Sequence, residues 1–352
     1  MQPIRTLVVD DSVVARRVIS DIFAVEKDFE VVGTAPNGRI ALTKIARLRP
    51  NLVTLDIDMP ELDGIQTLAE IRKTFPGVRV IMVSNLTQRG AAITVEALFQ
   101  GASDYVTKAT RTSSPEEARR YLGEQLLPKA RAIVTPAAAR VRTPLPPTEP
   151  PVRRHGSAPP ARIVVIGSST GGPNALTEIL SGLPADLAAP VVIVQHLPAN
   201  FTPFLARRLD AAGVLTVHEA KSGDRVLPGQ VWIAPGDRHL EVHATSKGFE
   251  LETTEAPLVN SCRPAADVLF RSAAAAFGDE TLAVVLTGMG QDGLAGCRAI
   301  RNAGGQIVTQ DQETSVVWGM PGQVTNAGLA DAVLPVSEIG AEIVRRVTAV
   351  RR

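Results

Sequence analysis

The chain has 352 residues, 45% hydrophobic and 21% charged, which excludes disorder throughout and, at ~100–200 residues per domain, one ordinary core. With 37 Lys and Arg against 36 Asp and Glu, the net charge is +1, so no bulk electrostatic case exists for binding nucleic acid or a membrane surface. The two cysteines, Cys262 and Cys297, have no C-x-x-C partner, which excludes a disulfide framework and zinc-ribbon spacing.

The N-terminus, MQPIRTLVVDDS, enters an apolar strand at once. It has no basic segment followed by a long apolar one, and no apolar run in the chain reaches ~18 residues. A cytoplasmic protein with no direct membrane insertion is the expectation. Strands are predicted at Thr6–Val9, Phe29–Thr34, Leu52–Leu55, Val78–Val83 and Asp104–Thr107, with helices starting near Val13 and Gly38 and another across Gly90–Phe99. Regular βα alternation implies a mainly parallel sheet with helices on both faces, and such sheets bind ligands beyond the strand carboxyl ends.

Polar residues of the first half fall at those ends. Asp10 and Asp11 close the first strand, Asp56 the third, Ser84 follows the fourth and Lys108 the fifth. Two unit charges ~4 Å apart repel by roughly 4 kcal/mol at an effective dielectric of ~20, so three gathered carboxylates call for a cation. An oxygen-only ligand set favours Mg²⁺. Singly, Asp10 or Asp11 also reads as a helix cap and Lys108 as a solvated lysine; five such residues in order at strand ends read as a phosphoryl site.

Residues 136–160 are rich in Pro, Ala and Arg without apolar periodicity and read as a semi-rigid linker. From Arg162 a second α/β pattern begins, with strands at RIVVIG, VVIVQH, VWIAP, LAVVLTG and GGQIVTQD. Gly167, Ser169 and Gly171 fit G-x-S-x-G, which places a serine on a sharp strand-to-helix turn with its hydroxyl exposed. The rival glycine-rich phosphate loops would need G-x-G-x-x-G or G-x-x-x-x-G-K-[ST], and both are absent.

A serine nucleophile needs a base. His196 closes the strand VVIVQ, whereas His155 lies in the linker and His218 in a half-polar segment. His239 and His243 share a strand face and could imitate metal ligands, but HLEVH is not HExxH and no third ligand is evident. Asp292, in the turn GMGQDG after LAVVLT, is the candidate carboxylate that fixes the imidazole tautomer, and the Met289 amide is a candidate oxyanion donor. The order Ser, His, Asp differs from that of the α/β-hydrolases. Cys262 and Cys297 read as small buried apolar residues.

The motifs VVDDS, LDIDMPELDG, MVSN and GASDYVTK resemble the response-regulator receiver domain. That resemblance implies Asp56 as phosphoacceptor, Mg²⁺ on Asp11, Asp56 and the Asp58 carbonyl with help from Asp10, Lys108 as phosphoryl partner, and Ser84 and Tyr105 as switch residues. Ala109 stands where receivers commonly carry a proline after a cis peptide. GSSTGGP, VQHLPANF, VWIAPGDRHLEV, NSCRPAADVLF, LTGMGQDG and VVWGMP together resemble the catalytic domain of the chemotaxis protein-glutamate methylesterases, CheB, over about residues 161–350.

By that resemblance Ser169, His196 and Asp292 form a triad, Thr170 supports His196, Met289 serves the oxyanion, and no cofactor is needed for ester hydrolysis. Ser168 stands where the family often has alanine. The whole implies a flavodoxin-like receiver at 1–122, a Pro-rich linker at 123–160 and a Rossmann-like methylesterase domain at 161–352. The implied activity is hydrolysis of glutamate γ-methyl esters and deamidation of glutamine on chemoreceptors, switched on by a CheA-type histidine kinase, with the receiver covering the esterase cleft until Asp56 is phosphorylated. A DNA-binding output would require a basic recognition helix near the C-terminus, where LPVSEIGAEIVRRVTAVRR is short and follows a full α/β domain, and a dead esterase fold would require a broken triad.

Overall fold

The computed structural model describes residues 2–85, 87–108, 114–134 and 159–348, in two compact units, Met1–Pro136 and Ala137–Arg352. Most of the linker, with His155, and the Lys108–Ala109 peptide lie outside the described residues.

The first unit runs β1 (Ile4–Val9), α1 (Val13–Ala24), β2 (Phe29–Ala35), α2 (Gly38–Leu48), β3 (Leu52–Asp56), α3 (Gly64–Thr74), β4 (Arg79–Ser84), α4 (Gln88–Phe99), β5 (Asp104–Thr107) and α5 (Pro115–Val134). Its sheet has the order β2-β1-β3-β4-β5 and all pairs are parallel. Leu7, Val8, Val9, Leu52, Val53, Leu55 and Val80–Val83 are buried, as strands covered on both faces must be. The strand order reverses between β1 and β3, which sets a crevice at their carboxyl ends.

Side chains start the helices: Ser12 accepts from Ala15 N, Asn37 from Ile40 N, and Asp63 with Gln66 completes a capping box on α3. A Cβ on Gly64 would lie 2.2 Å from the Asp56 carbonyl, so only glycine lets α3 begin against the end of β3. The linker drawn from residue 123 begins instead as helix. Leu122, Leu126, Ala130 and Ile133 keep a buried stripe on α5 through Val134.

The second unit runs β6 (Ile163–Ser168), α6 (Gly172–Ser181), β7 (Val191–Gln195), α7 (Thr202–Ala212), β8 (Thr216–Glu219), β9 (Gln230–Ile233), β10 (His239–Thr245), β11 (Gly248–Thr254), α8 (Ala266–Phe277), β12 (Thr281–Val285), α9 (Leu294–Asn302), β13 (Gln306–Gln310), α10 (Met320–Asn326), β14 (Ala332–Leu334) and α11 (Val336–Val347). Seven strands form a parallel sheet ordered β14-β13-β12-β6-β7-β9-β8. The chain leaves β6 for β7 on one side, and β12 arrives on the other, so the crevice here lies at the end of β6. The antiparallel hairpin β10–β11 stands apart from that sheet. It buries Leu240, Val242 and Leu251 in the same cluster as Leu269, Phe270 and Ala273 of α8.

Candidate functional sites

The first site lies beyond β1, β3 and β5. Oxygens of Asp10, Asp11 and Asp56 fall within 4.8 Å of one another. Lys108 Nζ lies 2.9 Å from Asp10 Oδ2 and 2.8 Å from Asp56 Oδ1, and Ser12 N donates to Asp10 Oδ1 at 2.9 Å. Burial, together with the neighbouring Asp10 charge, pushes Asp56 up to about 6 against the opposing effect of Lys108. Burial acts against the Lys108 charge as well, but Asp56 and Asp10 hold that ammonium above its ordinary value.

Three carboxylates face one ammonium, and Asp11 is exposed. The surplus negative charge and the all-oxygen donor set fit a hard divalent cation that keeps part of its water. Asp58 is exposed in the loop after β3, and its side chain stands outside the carboxylate group. Ser84 Oγ is buried 2.7 Å from Thr94 Oγ1 of α4. The Tyr105 ring is buried, with Lys129 Nζ 4.7 Å from its centroid, and burial pushes its phenol well above the ordinary value.

The second site lies at the end of β6. Gly171 takes φ +80°, the left-handed conformation that suits glycine, and a Cβ on Gly172 would lie 1.9 Å from Gln195 Oε1. The turn between β6 and α6 thus folds tightly around Ser169. All the hydrogen bonds Ser169 makes to described residues run through its backbone: N to Thr287 O at 3.1 Å, and O from Gln195 Nε2 at 2.9 Å and Gly172 N at 2.8 Å. Its hydroxyl therefore has no hydrogen-bond partner among the described residues.

His196 follows β7, and its Nε2 lies 2.8 Å from Asp292 Oδ2. That carboxylate is 2% exposed and is held by further donors: Ala266 N at 2.6 Å on Oδ2, and Asp267 N, Gly293 N and Asn260 Nδ2, each at 3.1 Å, on Oδ1. Two of these amides belong to the first turn of α8, where the helix dipole favours an anion. Burial pushes Asp292 up, but the bonds from His196 and these amides outweigh it and keep the carboxyl below its ordinary value. Burial likewise pushes His196 down, and the bonds to Asp292 and Cys262 outweigh it, holding the imidazole up to about 9.

The structure thus joins His196 to Asp292 but does not bring the Ser169 hydroxyl into hydrogen-bond contact with the ring. The contact at His196 Nδ1 is Cys262 Sγ, at 3.8 Å. The expectation for Cys262 is corrected here: it is half-buried against the imidazole, whereas Cys297 is fully buried. The Met289 N–H makes no hydrogen bond to another described residue, and its side chain is exposed. Thr170 is buried, and its carbonyl accepts from Thr287 Oγ1 at 2.9 Å.

Sequence reasoning missed the residues that brace the elbow. Gln195 Oε1 accepts from Ser168 Oγ at 2.7 Å while its amide holds the Ser169 carbonyl; a polar residue closing the apolar run VVIVQ was the available signal. This bond also gives the buried Ser168 hydroxyl its partner. Of the other histidines, His239 is buried and bonded to Pro257 O and Ala265 N, His243 pairs with Glu252 on the hairpin, and His218 packs at a tilt against Trp232.

Over residues 164–343 the sequence matches the CheB methylesterase family, and over residues 6–118 the response regulator receiver domain family. A protein-glutamate methylesterase/protein-glutamine glutaminase of Trichodesmium erythraeum is 47% identical over 99% of this chain and 100% of that protein. One of the same name from Nocardioides sp. is 51% identical over 98% of this chain and 96% of that protein. The crystal structure of the Thermotoga maritima CheB methylesterase catalytic domain superimposes with a TM-score of 0.52 at 45% identity, over 53% of this chain and 98% of that one.

Proposed function

The chain belongs to the CheB methylesterase family, with a receiver domain ahead of the methylesterase domain, and from that premise we propose how its residues perform the reaction. It is a phosphorylation-activated protein-glutamate methylesterase and protein-glutamine glutaminase of chemotaxis. The observation that carries our assignment of residues is the His196–Asp292 bond of 2.8 Å, made between the loops that leave the two strands flanking β6, at whose end Ser169 stands.

Asp292 holds the proton on His196 Nε2, which leaves the lone pair on Nδ1. In our reading the Ser169 hydroxyl displaces Cys262 from Nδ1 as the glutamate γ-methyl ester binds. Nδ1 then takes the Ser169 proton, Oγ bonds to the ester carbonyl carbon, and the carbonyl electron pair moves onto oxygen, where the Met289 N–H donates to it. Collapse breaks the bond to methoxide, which leaves as methanol with the proton from Nδ1. Water gives a proton to Nδ1, adds to the acyl-serine and releases the glutamate carboxylate, and Ser169 regains its proton. With glutamine the leaving group is ammonia. Thr170 supports the imidazole from the turn after Ser169.

In the receiver, the Asp56 carboxylate accepts a phosphoryl group from a CheA-type phosphohistidine; the P–N bond breaks and an acyl phosphate forms. Asp11, Asp56 and the Asp58 carbonyl would hold Mg²⁺, with Asp10 in support, and the ion, when bound, offsets charge on the phosphoryl oxygens. Lys108 pairs with the phosphoryl group, and Ser84 and Tyr105 convey the change. The substrates are chemoreceptors and the place of action is the cytoplasm. We set the receiver core at 1–122, extended by α5, and the esterase at 161–352, with the Pro-rich stretch as linker.

Methanol release from methylated receptor, measured with the full chain and a small phosphodonor, tests this reading. Ser169→Ala is expected to lower turnover by about 10⁴-fold or more. Near-normal release by that variant refutes the assignment of the nucleophile.

A further inference from the structure

Residues Val259–Cys262 form a tight turn closed by Val259 N to Cys262 O at 3.1 Å and Cys262 N to Val259 O at 2.9 Å. Its two central residues, Asn260 at φ +51° and Ser261 at φ +61°, are both left-handed, a geometry that favours glycine and, among L-residues, asparagine. The turn by itself would accept glycine as well as asparagine at position 260. Its side chain has work elsewhere: Nδ2 donates to Asp267 Oδ2 at 2.9 Å and to Asp292 Oδ1 at 3.1 Å.

Those two carboxylates are 3% and 2% exposed. Among the described residues neither is paired with a lysine or arginine; Asp292 has His196, and Asp267 Oδ1 accepts from Gly296 N at 2.7 Å. Two buried like charges destabilise each other unless donors lie between them. A primary amide has two N–H bonds, one for each carboxylate; a hydroxyl has one, and an aspartate would add a third negative charge.

We propose that Asn260 is a positioning residue of the esterase. It bridges Asp267 and Asp292 so that Asp292 keeps its charge and turns Oδ2 toward His196 Nε2. The same turn delivers Cys262 to the opposite ring nitrogen, so one four-residue segment fixes both sides of the imidazole. The inference rests on the assignment of His196 and Asp292 as the base and its partner.

The test uses the full chain. Asn260→Gly keeps the left-handed turn without strain and removes only the amide. We expect kcat for methanol release to fall about 10- to 100-fold with KM within about twofold, the pattern of a misplaced group rather than lost binding. The amide presents its positive end to the dyad, so its removal raises the dyad's affinity for a proton, and the acid limb of the pH–rate profile moves to higher pH. Asp267→Asn removes a negative charge beside the dyad and moves that limb to lower pH, which keeps the test decisive should the glycine variant fold poorly. Unchanged kcat and limb in Asn260→Gly, or a limb that does not fall in Asp267→Asn, overturns the inference. Substantial activity in Ser169→Ala or His196→Gln would instead overturn the assignment beneath it.

Discussion

His196 Nε2 and Asp292 Oδ2 stand 2.8 Å apart beyond the end of β6, because the loops that carry them leave β7 and β12, its two neighbours in the sheet. A pair formed this way spans the strand end that bears Ser169. With the Nε2 proton committed to that carboxylate, as in the proposed mechanism, Nδ1 is the nitrogen left to accept one.

The pH dependence follows. Burial alone would push His196 down, but Asp292 and Cys262 hold it up to about 9, above its ordinary 6.5. Only the neutral imidazole accepts a proton, so kcat/KM for methanol release should climb with pH through about 9 rather than level off just above 6.5. Asp292→Asn should shift the limb down and lower the rate. The same linkage acts on stability: the contribution of this pair is fully present below the unfolded value of 6.5 and is lost as pH rises through about 9. A limb at or below 6.5 in the unmodified enzyme would count against the geometry.

Gln195 gives a second expectation. Ser168→Ala leaves Gln195 Oε1 buried without its donor at 2.7 Å, and an orphaned buried acceptor costs about 1–3 kcal/mol. Gln195→Leu also removes the bond to the Ser169 carbonyl, so it should lower kcat as well as stability. Because the two residues share one bond, the double variant should lose less stability than the sum of the singles. Urea unfolding of the four proteins, followed through the esterase transition, reads this directly. Strict additivity would mean that the bond contributes nothing.

How much of this was legible in the sequence depends on how far each signal reaches along the chain. Apolar runs that stop at a polar residue, such as LVVDD, VVIVQH and IVVIGSS, marked strand ends and therefore Asp10, Asp11, His196 and Ser169, since parallel strands bury both faces and free only their tips. Asn260 and Cys262 gave no such mark. Their contacts with Asp292 and His196 span 32 and 66 residues, and no local periodicity encodes a contact between a turn and a strand end. The second half of α5 was lost for another reason: Pro128 and the charged residues around it obscure a buried stripe that only packing makes plain. The hairpin β10–β11 was half visible, as the strand HLEVH, without its antiparallel mate.

The receiver supplies the last expectation. Asp56 rises from its ordinary 3.8 to about 6, with burial the leading cause and the Asp10 charge the next. An acid whose folded value lies above its unfolded one contributes stability while protonated, below the unfolded value; that contribution is lost as pH rises through about 6. At neutral pH the ionised group therefore costs on the order of 2–3 kcal/mol. Asp56→Asn removes that charge while Lys108 keeps Asp10 at 2.9 Å. In EDTA, the receiver transition of this variant should lie above that of the unmodified protein at pH 7.5, and the gap should close toward pH 4. Adding Mg²⁺ should then raise the unmodified protein more than the variant, because a ligand that binds only the folded state stabilises it in proportion to its affinity. A variant less stable than its parent at pH 7.5 would mean that Lys108 more than offsets the burial of Asp56, and the case for a cation-demanding pocket would lose its energetic basis.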